Sequence, residues 1–292
     1  MECRNGEKLI AWYPFSDAAK AGVDASGNEQ NAIAKGANAP VIKEVCGRMA
    51  AYFAGGANQV SYFELPKQLL KDVSDETGFT VSAWVCGDKA NSVWERIFDF
   101  GNGAGGPYLF LTRFQRGVCF HNGDLAADAG VAIPVNEWVH VAMTVTGSKG
   151  GTLSSAGPRI YINGELAADG FISQTSSGTY KKLREWFATI EETDNYSNNY
   201  IGRSQFDADV DFCGAMSDFR IYKEALSEQD IIALMCDSLT EEEMVSLAKE
   251  KYLPAVNKII TEDLELPDSL MEGRVQVKWR FSNENAIDVC GK

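Results

Sequence analysis

Residues 88–107 set Trp94, Glu95 and Arg96 just ahead of a short expected strand, 97–100, and a glycine-rich stretch, Gly101-Asn102-Gly103-Ala104-Gly105-Gly106. Residues 171–199 add Tyr180, Trp186, Glu191, Glu192, Asp194 and Tyr196, again rings mixed with acids. An aromatic ring offers a flat apolar face that stacks on the C–H face of a sugar ring, while a polar tip bonds hydroxyls. Trp94, Arg96, Tyr180, Trp186 and Tyr196 are therefore the candidate ligand-binding residues. The same rings also suit pinning a long loop to the body of the fold, and both uses stay open. The glycine-rich stretch is no phosphate loop, because neither a Gly-Lys-Ser/Thr ending nor a following helix accompanies it.

The remaining reactive groups are harder to assemble into a catalyst. Glycoside hydrolysis needs two carboxylates flanking one bond at a set separation. Asp207, Asp209 and Asp211 alternate, but they lack the glycine and distal Glu of an EF-hand loop and precede a strand rather than line one. The histidines are His121 and His140, and His140 lies mid-strand beside Trp138, where it reads as a satisfied sheet histidine rather than part of a triad. The seven cysteines, Cys3, Cys46, Cys86, Cys119, Cys213, Cys236 and Cys290, show neither a CxxC pair nor zinc spacing, and no pairing is assigned to them. The chain is read as non-catalytic.

These residues need a scaffold, and its clearest part is residues 136–168. Val139, Val141, Met143 and Val145 alternate with His140, Ala142, Thr144 and Thr146, a period of two that marks a strand with one aliphatic face. That face suits packing on a second sheet, and the other, which carries Trp138 and His140, is free to meet solvent or ligand. A Gly/Ser-rich loop follows, then a strand over 159–162 and an Asn163-Gly164 hairpin turn. Residues 79–86 alternate likewise, with Phe79, Val81, Ala83 and Val85 opposite Thr80, Ser82, Trp84 and Cys86. Further strands are expected over 9–15, 48–53, 59–63, 97–100, 108–114, 117–121, 200–203 and 214–222, with 54–58 as a turn. Ser227 and Asp230 open a short helix, and Thr240 with Glu243 forms a capping box before a second helix that reaches residue 252.

The blocks Phe79-Thr80-Val81-Ser82-Ala83-Trp84-Val85, Trp138-Val139-His140-Val141-Ala142-Met143-Thr144-Val145 with Arg159-Ile160-Tyr161-Ile162-Asn163-Gly164, and Gly214-Ala215-Met216-Ser217-Asp218-Phe219-Arg220-Ile221-Tyr222 resemble the laminin G-like, concanavalin A-like lectin/glucanase family. The resemblance runs over roughly residues 9–236 and implies an all-β fold, a two-sheet antiparallel jelly-roll sandwich. It also implies glycan binding, a structural calcium held by Asp17 and Asp218, and an extracellular or cell-surface location. Glucanases of this fold carry an E-x-D-x-E strand motif, which this chain lacks. For Asp218 a pairing with Arg220 competes with the metal. Asp24-Ala25-Ser26-Gly27-Asn28 similarly suits either an Asx turn or an oxygen-rich calcium loop, with the turn favoured for Asp24. Residues 259–292, with Trp279-Arg280-Phe281-Ser282-Asn283 and Ala286-Ile287, resemble part of a bacterial immunoglobulin-like module. Such modules accompany family 43 arabinan- and xylan-degrading enzymes. The expected organisation is thus a jelly roll over 1–236, a helical linker over 237–258 and an incomplete immunoglobulin-like segment over 259–292.

Composition narrows the partners. The formal net charge is -14, which opposes nucleic acid and anionic membranes and suits neutral ligands, cations or plain solubility. No run of apolar residues is long enough to span a bilayer, and no signal-peptide core precedes the first strand. For a family that is usually extracellular, this suggests an excised chain or an unusual cytosolic location. The expected function is a carbohydrate-binding accessory domain, covalently linked to a catalytic domain in a parent chain. The alternatives are a protein-interaction or adhesion module, or a fragment of a glycoside hydrolase.

Overall fold

A computed structural model describes residues 6–74, 76–89, 93–104, 108–113, 116–117, 127–128, 132–145, 158–169, 198–252, 268–271 and 273–278. The strands are β1 (Leu9–Tyr13), β2 (Ile33–Lys35), β3 (Val41–Val45), β4 (Arg48–Ala57), β5 (Tyr62–Leu65), β6 (Phe79–Gly87), β7 (Arg96–Gly101), β8 (Tyr108–Thr112), β9 (Arg116–Gly117), β10 (Ala127–Asp128), β11 (Trp138–Val145), β12 (Pro158–Ile162), β13 (Glu165–Asp169), β14 (Asn198–Ile201), β15 (Val210–Tyr222), β16 (Ser269–Leu270) and β17 (Val275–Gln276). One sheet runs β13-β12-β11-β6-β15-β4-β3, with β1 also paired to β15; the other runs β10-β9-β8-β7-β14-β5-β2. All these ladders are antiparallel, and the two sheets pack as the expected jelly-roll sandwich.

The period-two pattern sets the register. Val139, Val141, Met143 and Val145 stand directly across from Val85, Ala83, Val81 and Phe79. All eight join one core with Phe53, Phe63, Phe98, Phe100, Ile201 and Phe219. A slip of one residue would turn this whole row out of the core, so the aliphatic face fixes the pairing. Asn163 and Gly164 both have positive φ, 48° and 80°, as the tight turn between β12 and β13 requires.

Two expectations need correction. Residues 54–57 are not a turn but the end of β4, and the turn comes at 58–61. Gly55 lies within the strand at φ 66°, and a Cβ there would come within 2.7 Å of the Cys213 Cβ on β15, so a left-handed backbone and close packing, not chain reversal, ask for glycine. Nor does most of the second face of β6 and β11 meet solvent, although Trp138 at the start of β11 is only partly buried. Trp84, His140, Thr80 and Thr144 are all buried. Arg48 stacks over Trp84 and Trp138, and the segment after β15 bonds both the Leu226 N–H and the Glu224 carbonyl to the Thr80 hydroxyl.

The chain divides into two compact units, Met1–Glu228 and Gln229–Lys292. Helix α1 (Glu228–Asp237) joins them in sequence, and α2 (Glu241–Tyr252) follows. The capping box at the start of α2 forms as expected: Glu243 Oε2 accepts from the Thr240 N–H at 2.7 Å, and Thr240 Oγ1 accepts from the Glu243 N–H at 3.2 Å. In the second unit β16 and β17 make a short antiparallel pair. The Trp279–Ile287 stretch that suggested an immunoglobulin-like module lies outside the described residues.

Candidate binding face

The face of the seven-stranded sheet turned away from the core carries the row Phe110, Asp99, Tyr200, Glu64 and Ile33, each directly across from the next. Alternation along β8 puts Tyr108 on the same side as Phe110, and the two rings stack at 5.9 Å between centroids. Phe206, from the loop between β14 and β15, meets Tyr108 edge-on at 5.2 Å. Trp94 precedes β7 and is 40% exposed, which leaves much of its ring open. Tyr108 and Phe206 are half-buried.

Arg96 holds these rings in place. Its guanidinium lies 3.9 Å from the centroid of Phe110 and 5.6 Å from that of Trp94. It donates to the Trp94 carbonyl at 2.7 Å and pairs with Asp99 and Asp209, both at 3.1 Å. Arg96 was a candidate ligand contact, but it is 2% exposed and its donors are spent on the protein, so it positions Trp94 and Phe110 instead. Asp99 is fully buried, and burial pushes its carboxyl up to about 6, against the opposing pull of Arg96 and Gln205. Gln205 accepts from the Gly103 N–H at 2.9 Å and donates to the Asn198 carbonyl at 3.0 Å. The glycine-rich loop after β7 is thus tied to the loop that carries Phe206.

A second cluster lies further along the same face. Tyr62 and Tyr200 meet edge-on at 5.5 Å, and the Arg203 guanidinium covers both, at 4.8 and 4.3 Å. Asn58 accepts from Arg203 Nε at 2.9 Å and donates to the Ser204 and Phe206 carbonyls.

The acids near these loops have structural partners. Asp209 accepts from the Ser204 hydroxyl at 2.7 Å as well as pairing with Arg96. Asp211 accepts three backbone N–H groups, from Gln59, Val60 and Ser61, and so builds the turn between β4 and β5. Glu95, fully buried, accepts from the Cys213 N–H at 2.8 Å and pairs with Arg113 at 3.3 Å. Asp24 accepts the backbone N–H groups of Trp12, Ser26 and Gln30, the Asx-turn use favoured for it.

Asp17 and Asp218, the expected calcium pair, each have partners within the protein. Asp17 caps a short 3-10 turn by accepting from the Ala19 N–H. Asp218 sits at a bulge in β15, at φ 53°, which aims its carboxylate at Trp12 Nε1, 2.6 Å away, and at Arg220 Nε, 2.9 Å away. A guanidinium already neutralises that carboxylate, so the residues present do not fit a calcium shared by Asp17 and Asp218. Among the described residues no group of three or more His, Cys, Asp or Glu is placed to hold a metal ion.

Of the five candidate ligand contacts, Trp94 stands at the face; Tyr180, Trp186 and Tyr196 lie outside the described residues. Tyr108 and Phe110 were not singled out, though their i, i+2 spacing in a strand places them on one face. Phe206 had no such signal, because a loop brings it there. A separate cleft of about 290 Å³ is lined by Glu7, Leu9, Asn28, Gln30, Asp72 and Lys223, among others. It has no aromatic wall, so it offers hydrogen bonds without stacking. No described helix is long and apolar enough to cross a membrane.

Comparison with known proteins agrees with this architecture. The chain resembles domain 4 of a GH43 extracellular arabinanase from Geobacillus stearothermophilus, solved with arabinotriose, at TM-score 0.55 and 18% identity over 78% of this chain and 98% of that one. The binding domain of botulinum neurotoxin DC in complex with rat synaptotagmin II gives TM-score 0.52 and 15% identity over 80% of this chain and 52% of that one. A Trypanosoma rangeli sialidase in complex with sialic acid gives TM-score 0.51 and 15% identity over 84% of this chain, which spans only 33% of the sialidase. At such identities the likeness is one of fold. None of the curated protein sequences compared with the chain matches it. A profile of the Concanavalin A-like lectin/glucanases superfamily matches residues 56–232, more than half of the sequence, and the chain belongs to that superfamily.

Proposed function

We propose that the β-sandwich is a non-catalytic carbohydrate-binding domain that takes a neutral glycan across the outer face of the seven-stranded sheet. The observation that carries this reading is the ring group at one end of that face. Trp94 is open to solvent, and beside it Phe110 stacks on Tyr108, which Phe206 meets edge-on, with Arg96 and Gln205 holding the group in place. Preset rings bind a sugar face with little ordering cost. The net charge of -14 favours a neutral polymer over an acidic one. Support also comes from the fold shared with an arabinanase domain solved with arabinotriose.

In its fuller form the proposal makes the chain an accessory domain of an extracellular or cell-surface bacterial protein, covalently linked to a polysaccharide-degrading domain. The test is titration of the purified chain with arabinotriose and retention on insoluble plant polysaccharides. Saturable binding to at least one of these supports the proposal. Absence of binding to every neutral glycan in a broad panel overturns it and favours a protein-binding role, as in the toxin domain solved with synaptotagmin II.

A further inference from the structure

The turn between β3 and β4 lies against the buried outer face of the eight-stranded sheet, where β6 and β11 pair. Val45 and Arg48 are directly paired, so Cys46 and Gly47 form the whole turn, both at positive φ, 47° and 82°. Such a turn normally takes Asn or Gly at its first position, and a cysteine there is conformationally unfavourable. Trp138 Nε1 donates to the Val45 carbonyl at 3.0 Å, and Trp138 stands directly across from Cys86. Val45 and Trp138 both pack against the cluster of Ala50, Cys86 and Ala215. Arg48 fixes the other end of the turn, with its guanidinium 4.5 Å from the Trp84 ring and 5.7 Å from that of Trp138. Held between these anchors, Cys46 follows directly on Val45, which packs against the cluster that contains Cys86, and so lies near the Cys86 thiol, whose own hydrogen bond goes to the Gly87 carbonyl at 3.9 Å. Both are free thiols; Cys46 is exposed and Cys86 is buried.

We propose that Cys46 and Cys86 form a redox-modification site, which closes to a disulfide by exchange with a small disulfide of the glutathione class. Exposure makes Cys46 the entry point. Its thiolate attacks one sulfur of oxidised glutathione, forming a protein–glutathione disulfide and releasing one glutathione thiolate. The Cys86 sulfur then attacks the Cys46 sulfur, and the second glutathione leaves with the proton that Cys86 gives up. Two protein thiols are oxidised, and one oxidised glutathione is reduced to two thiols. Burial holds the Cys86 thiol above its usual range, so this second step quickens as pH rises. The product staples the edge hairpin of β3 and β4 to the central strand β6.

The test incubates the folded chain with oxidised glutathione and then maps peptides without reduction. The expected product is a Cys46–Cys86 linked peptide, two hydrogens lighter than the separate thiol peptides and lost on treatment with dithiothreitol. The exposed substitution Cys46→Ser should abolish it and leave Cys86 reduced. Cys86→Ser should stop the reaction at a Cys46–glutathione adduct. Recovery of that adduct from the native chain, with Cys86 still a thiol after prolonged incubation at raised pH, would overturn the proposal. So would a Cys46 that does not react in the folded chain.

Discussion

Lowering the pH from 7 to 5 should cost this fold a defined amount of stability through one residue, His140. Its imidazole is 2% exposed, edge-on to Trp84 at 5.4 Å, and faces the cations Arg48 and Arg220. Burial first, then Arg220 and Arg48, push its pKa down to about 3 from an ordinary 6.5. The sign follows from linkage. The unfolded chain binds a proton below about pH 6.5 and the folded chain does not, so stability present above 6.5 is lost as pH falls toward 3. At pH 5 the gap from the unfolded value is about 1.5 units, or about 2 kcal/mol at ~1.4 kcal/mol per unit. This figure requires only that the folded value lie well below 5. Asp99 works against it. Its raised carboxyl, at about 6, takes up a proton in the fold over the same interval and returns about 1 kcal/mol. Wild-type stability alone therefore mixes two opposing effects. The informative comparison is urea unfolding of wild type and His140→Gln at pH 7 and pH 5. The wild type should lose about 2 kcal/mol more than the variant, equivalent to about 4–8 °C in Tm for a unit of this size. Parallel losses in the two proteins would refute the reasoning, since they would mean that the folded imidazole accepts a proton as readily as the unfolded one.

Asp99→Asn should reverse that comparison: as pH falls from 6 to 4 the variant should lose more stability than wild type, because it lacks the proton uptake that offsets most of the His140 loss, as followed by the same unfolding experiment. Asp211→Ala removes the acceptor for three backbone N–H groups, one of them buried, and should cost about 3–5 kcal/mol. Asp211→Asn, which keeps one acceptor oxygen, should cost less. Because Asp218 is already paired with Arg220 and Trp12, calcium or a chelator should leave the melting temperature unchanged, whereas Asp218→Ala should lower it, as scanning fluorimetry can check.

What the sequence revealed depended on whether a feature was local. Strict alternation in residues 79–86 and 138–145 named both strands and the residues of their shared core, because a half-buried strand must repeat every second residue. The Asn163-Gly164 turn and the Thr240–Glu243 box were likewise legible, since each is closed by its own neighbours. Gly55 misled because a glycine that permits close approach of β15 looks the same in sequence as one that turns the chain. The second face of β6 and β11 looked open because Arg48 and Arg220, which bury it, come from strands far away in sequence. The binding face was legible in part: Trp94 stood out by its loop, whereas Phe206 arrives through ties among Asn58, Asp99, Gly103 and Gln205 that no short pattern encodes.

The most direct test of glycan recognition on this face is the affinity of wild type, Trp94→Ala and Tyr108→Ala for the best neutral oligosaccharide in the panel, with arabinotriose first. Covering roughly 60 Å² of ring at ~25 cal/mol per Å² gives about 1.5 kcal/mol per stacked ring. Each variant should therefore bind about tenfold more weakly than wild type while melting within a few degrees of it. Undiminished affinity in both folded variants would place the sugar elsewhere and contradict the account.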